Sequence, residues 1–143
     1  MFQTIMVAYD ESREAAHALA SAIELAKPLG AHLKIVTVVE ALPAIYNIAA
    51  IISPPVVNES LEGKRHQLRT LQQSAVKRAI AAGVNADAIL VDGGEVSGIL
   101  RTAQREHADL LVIGHPKHCR LGAFDSTARH VADHTRCPLL EVN

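Results

Sequence analysis

The residues with the most chemical potential lie between Gly114 and Arg129. Gly114-His-Pro-Lys117 follows the apolar run Leu110–Ile113, and Asp125-Ser-Thr-Ala-Arg129 opens a helical pattern. A loop from the carboxyl end of a strand to a helix N-terminus presents free backbone N–H groups and the positive end of the helix dipole, so it favours an anion such as phosphate. Ser126 and Thr127 could donate hydroxyls to that anion. Residues of this type are also common helix N-caps, so capping is the competing reading. Lys117 brings a cation to the loop and Asp125 a carboxylate, with opposite effects on a phosphate.

Asp10 closes a first apolar run, Thr4 to Tyr9. It either meets a ligand at the end of that strand or caps the next helix together with Ser12. His115, His118, Cys119, His130 and His134 raise the question of zinc, and His130 and His134 share one helical face. No Cys-x-x-Cys partner completes a tetrahedral set, so no metal is expected. Ser126 lacks the Gly-x-Ser-x-Gly elbow of a hydrolase nucleophile, so no catalytic residue is assigned. Glu95, after Gly93-Gly94, reads as an acid placed to stabilise a helix dipole.

These residues need a scaffold, and the pattern of the chain supplies one. Thr4–Tyr9, Leu33–Val39, Ile89–Val91, Leu110–Ile113 and Leu139–Val142 read as buried strands. Between them lie helical stripes. Ala15, Ala16, Leu19, Ile23 and Ala26 form the first, with Ser12 as N-cap and Gly30 as stop. Leu61, Leu68, Leu71, Ala75 and Ala79 mark a long helix over roughly 59–82, ended by Gly83. Val96, Ile99, Leu100 and Ala103 give a third, and 126–134 a fourth. Ala41–Val57, interrupted by Pro43, Pro54 and Pro55, reads as a loop.

Strands alternating with helices predict an α/β fold: a five-stranded parallel sheet, open and doubly wound, flavodoxin-like, with helices on both faces. Ligands of such sheets sit at the carboxyl ends of the strands, where the winding reverses. In the order 3-2-1-4-5 Asp10 and Gly114 would face one crevice; 2-1-3-4-5 is the other option. The 143 residues fit one domain, 1–143.

Composition excludes several classes. The net charge is -1 and aromatics are 3%, so neither a basic patch nor base-stacking platforms favour nucleic acid. No apolar run reaches transmembrane length and no signal peptide is visible, so a cytoplasmic protein without membrane contact is expected. Two cysteines, Cys119 and Cys137, make no disulfide framework.

Val7-Ala-Tyr-Asp-Glu-Ser12, Leu33-Lys-Ile-Val-Thr-Val-Val39, Gly93 with Ile99-Leu100, Ala108-Asp-Leu-Leu-Val-Ile-Gly114 and His134-Thr-Arg-Cys-Pro-Leu-Leu-Glu-Val142 together resemble the universal stress protein family over nearly the whole chain. The resemblance implies a five-stranded fold of the adenine nucleotide alpha hydrolase-like type, a homodimer, and a role under stress or growth arrest. In ATP-binding members the aspartate matching Asp10 and the backbone matching Val38 meet adenine. Their phosphate loop carries glycines at the place of Gly114, at Lys117, and before Ser126. Here only Gly114 keeps its glycine, Asp125 stands before Ser126, and the interval is shorter. Side chains at glycine positions cost strain and space beside a phosphate.

The resemblance is therefore nearest the universal stress protein A-like branch, taken not to bind ATP. It implies a regulatory or protective binding module without robust catalysis. Its degenerate nucleotide site would comprise Asp10, Val38, Gly114, Lys117, Ser126 and Thr127, with no cofactor. The alternative is an ATP- or AMP-binding switch in which Lys117 compensates for lost glycines. Leu139–Val142, as an edge strand, would pair with a second copy. Other protein partners are unknown.

Overall fold

A computed structural model of the chain describes residues 1–40, 51–52, 54–115 and 127–143, with side chains for all of these except 54–59. Five strands and four longer helices alternate: β1 (Thr4–Ala8), α1 (Arg13–Leu29), β2 (His32–Val39), α2 (Pro54–Ala81), β3 (Ala86–Asp92), α3 (Glu95–Arg105), β4 (Leu110–Gly114), α4 (Thr127–His134) and β5 (Leu139–Val142). The sheet order is β3-β2-β1-β4-β5, and each neighbouring pair is parallel. Of the two orders open at the level of sequence, the structure adopts 3-2-1-4-5.

The alternation of side chains along each strand divides the core into two layers. Ile5, Val7, Leu33, Ile35, Leu110 and Val112 face one side, against Ala18, Leu19, Ala22 and Ile23 of α1 and Ala75 and Ala79 of α2. Met6, Val36, Leu111 and Ile113 face the other, against Ile99 and Ala103 of α3 and Ala128 and Val131 of α4. Because both faces are covered, the central strands β1 and β4 are almost wholly apolar and buried. Each fully buried Leu, Ile or Val contributes about 1.5–3 kcal/mol relative to exposure. The alanines of α1 keep that helix close to the sheet.

Local chemistry sets the ends of α1 as the sequence predicts. Ser12 accepts from the Ala15 N–H at 3.1 Å, and Gly30 adopts the left-handed conformation with φ 61. The start of α2 differs from the expectation of a helix near Glu59. It begins at Pro54, because a proline is accommodated in a first helical turn, where its missing N–H has no partner to lose. Residues 51–52 are also helical, so this part of Ala41–Val57 is not the loop expected; 41–50 and 53 lie outside the described residues. β3 extends beyond Ile89–Val91 to Ala86–Asp92, a half-exposed edge whose alternation a short apolar window underestimates. Among the described residues no helix is long and apolar enough to cross a membrane.

Candidate functional site

β2 lies on one side of β1 and β4 on the other, so successive crossovers leave the sheet's centre in opposite directions. The carboxyl ends of these strands are tied together. The Tyr9 N–H donates to the Val36 carbonyl at 2.8 Å, and the buried Thr37 hydroxyl donates to the Tyr9 carbonyl at 2.8 Å. Above them opens a crevice of about 650 Å³, closed at its sides by α1, α2, α3 and the first residues of α4. This is where a doubly wound sheet binds its ligand.

Four of the predicted site residues, Asp10, Val38, Gly114 and Thr127, line this crevice together. Lys117 and Ser126 lie outside the described residues, as do Asp125, His118 and Cys119. Asp10 performs the capping role considered for it: its Oδ1 accepts from the Ser12 N–H at 2.7 Å. The same residue stays exposed on the crevice wall, so capping does not remove it from a ligand's reach. Val38 packs its side chain against α3, where a Cβ at Gly98 would come within 3.0 Å of Val38 Cγ2. Gly114 is a glycine for a reason independent of phosphate. A Cβ there would stand 2.4 Å from the Glu14 carbonyl carbon and 2.5 Å from its oxygen, so the backbone of α1 occupies the space.

Sequence reasoning missed the full role of Glu95. It stands in the first turn of α3, as expected of a dipole-stabilising acid. Its carboxylate also reaches across the crevice rim and accepts from the Thr127 hydroxyl, Oγ1 to Oε2, at 2.9 Å. Burial holds the Glu95 carboxyl above the usual glutamate range; the Thr127 hydrogen bond opposes that shift, while the nearby charges of Glu40 and Asp10 add to it. The signal available in sequence was the Gly93-Gly94-Glu95 turn, but only the adjacency of α3 and α4 shows where the side chain goes.

The crevice is acidic. Among its described lining residues Asp10, Glu11, Glu14, Glu40 and Glu95 carry carboxylates and Lys64 the one ammonium. Lys64 is already engaged with Glu11 at 2.8 Å. Of the residues considered for metal, His134 Nδ1 donates to the His130 carbonyl at 2.9 Å in the tautomer protonated there, and no group of three metal-ligating side chains assembles among the described residues.

The universal stress protein family model matches residues 1–143. A universal stress protein from Thermus aquaticus, encoded in the 3' region of a QAH/OAS sulfhydrylase, is 33% identical over 144 residues, covering 99% of this chain and 99% of that one. The structure of universal stress protein UspA from Lactobacillus plantarum superposes with a TM-score of 0.80 at 23% identity, covering 99% of this chain and 98% of that one. A universal stress protein solved in complex with cAMP superposes with a TM-score of 0.70 at 25% identity, covering 99% and 97%. With an open parallel sheet, a crevice at its winding reversal and a family match along its whole length, the chain belongs to the universal stress protein family.

Proposed function

We propose that this universal stress protein is a regulatory or protective binding module whose crevice is a degenerate nucleotide site without robust catalysis. The observation that carries this reading is the hydrogen bond from Thr127 to Glu95: the hydroxyl that a phosphate would use is engaged by the protein's own carboxylate. The acidic lining among the described residues supports it, because those carboxylates repel a phosphate.

A second reading, an adenine-nucleotide switch binding ATP or AMP, draws support from two facts. Asp10, Val38, Gly114 and Thr127 converge on one cavity of ligand size. A relative at 25% identity was solved with cAMP. Titration calorimetry of nucleotide-free protein with ATP, with and without magnesium, separates the two. Weak or undetectable heat at millimolar ATP, with no rise in melting temperature, is the outcome expected of the degenerate site. Saturable tight binding, with slow or no hydrolysis, would establish the switch.

The assembly proposed is a homodimer joined through β5. That strand is an edge of the sheet, hydrogen-bonded on one side to β4. Leu111 N–H donates to the Pro138 carbonyl and His115 N–H to the Val142 carbonyl, so by alternation Leu139 and Glu141 turn their backbone groups outward. A second copy about a two-fold axis would satisfy them. A cytoplasmic location is proposed on the family's character and the sequence.

A further inference from the structure

We infer that Glu95 sets the ligand class of this crevice: its carboxylate stands in for a ligand phosphate at Thr127, so the site selects an uncharged adenine nucleoside over its phosphorylated forms. The inference rests on reading the crevice as an adenine site and names what that site takes.

Thr127 opens the described part of α4, and its hydroxyl is a donor that an anion in the crevice could use. Glu95 Oε2 already accepts that hydroxyl at 2.9 Å. A phosphate at the same place would share one donor with a carboxylate and stand beside it as a like charge. Among the described residues, the groups around Glu95 add negative charge more than they remove it. Asp10, after β1, and Glu40, after β2, are carboxylates whose charges already act on Glu95. Lys64 on α2 is paired with Glu11. His134, in the last turn of α4, shares an adjoining hollow with Glu40 and Glu95.

A nucleoside meets none of this repulsion. Ionised carboxylates are acceptors only, and ribose hydroxyls and the adenine amino group are donors. The lining therefore complements the nucleoside part of a nucleotide and opposes the rest.

The test is calorimetric titration of the nucleotide-free full chain with adenosine, cAMP and AMP, using the wild type, Glu95→Gln, and Glu95→Gln combined with Thr127→Val. Glutamine keeps the shape of the half-exposed side chain but, uncharged, holds the Thr127 hydroxyl less strongly than a carboxylate does and lets it go to a phosphate. The wild type should bind adenosine at least about tenfold more tightly than AMP, and Glu95→Gln should gain about tenfold for cAMP and AMP while adenosine stays within about twofold. Adding Thr127→Val should abolish the gain, because the released hydroxyl is gone. In the wild type the affinity for cAMP relative to adenosine should rise on acidification as Glu95 takes a proton, and stay flatter in Glu95→Gln. Adenosine binding with a ratio to AMP that Glu95→Gln leaves unchanged would overturn the role of Glu95 alone. Binding of none of the three ligands to any of the three proteins would overturn the adenine-site reading and this inference with it.

Discussion

Thr127 and Glu95 lie 32 positions apart in the chain and meet at 2.9 Å, hydroxyl to carboxylate, at the mouth of the crevice. The pairing ties the first turn of α3 to Thr127 of α4 and holds a half-buried carboxyl at that contact. On the function proposed above, it is the contact that would set this crevice against a phosphate.

Stability should record the ionisation of Glu95. Its folded pKa is raised above the ordinary 4.5, chiefly by burial, so the folded state holds the proton more tightly than the unfolded chain. The unfolded state then binds fewer protons in this window, and the contribution to stability falls as pH rises from the ordinary glutamate value through the raised one. Glu95→Gln should remove that fall. Urea midpoints against pH should be less steep in the variant over this interval, with the variant gaining relative to wild type toward neutral pH.

Gly114→Ala should cost about 2 kcal/mol or more, because the added carbon strikes the Glu14 carbonyl group, which is helix backbone and cannot swing aside. Chemical denaturation would show it as a lower midpoint. A ligand is not needed for the effect, which distinguishes packing at Gly114 from a role in phosphate binding.

Ser12→Ala should lose about 1 kcal/mol through the Ala15 cap. Asp10→Asn should stay within about 0.5 kcal/mol of wild type, because the amide oxygen can still accept from the Ser12 N–H. Thermal melts of the two variants side by side check the difference. If Asp10 also meets the adenine end of a ligand, Asp10→Asn should alter adenosine affinity without altering the melt of the free protein.

The wild type should sediment as a dimer and Glu141→Pro as a monomer. Proline removes an outward N–H from the edge while the inward groups at Pro138 and Val142 keep their bonds to β4. Glu141 also lies 3.5 Å from His115, an exposed contact worth little to stability. Sedimentation velocity at micromolar concentration decides it.

The sheet was legible because its strands are apolar on both sides and bounded by Asp10, Gly30, Gly83 and Gly114. Two short-range rules misjudged boundaries: prolines 54 and 55 read as a break although they open α2, and the mixed exposure of β3 hid its length. Asp10, Val38, Gly114 and Thr127 were legible as a set because strand order brings strand ends together. Glu95 was not. Its partner is set by the packing of α3 on α4, and no spacing within one helix encodes a contact between two. Gly114 lines the crevice at the strand end where the pattern put it, but its identity follows from the approach of α1, which sequence does not display.

The most direct measurement is a crystal structure of the full chain soaked with ATP and magnesium. The account predicts that Thr127 still donates to Glu95 and that no triphosphate is ordered at the start of α4. A triphosphate held by the Thr127 hydroxyl, with Glu95 displaced, would contradict it.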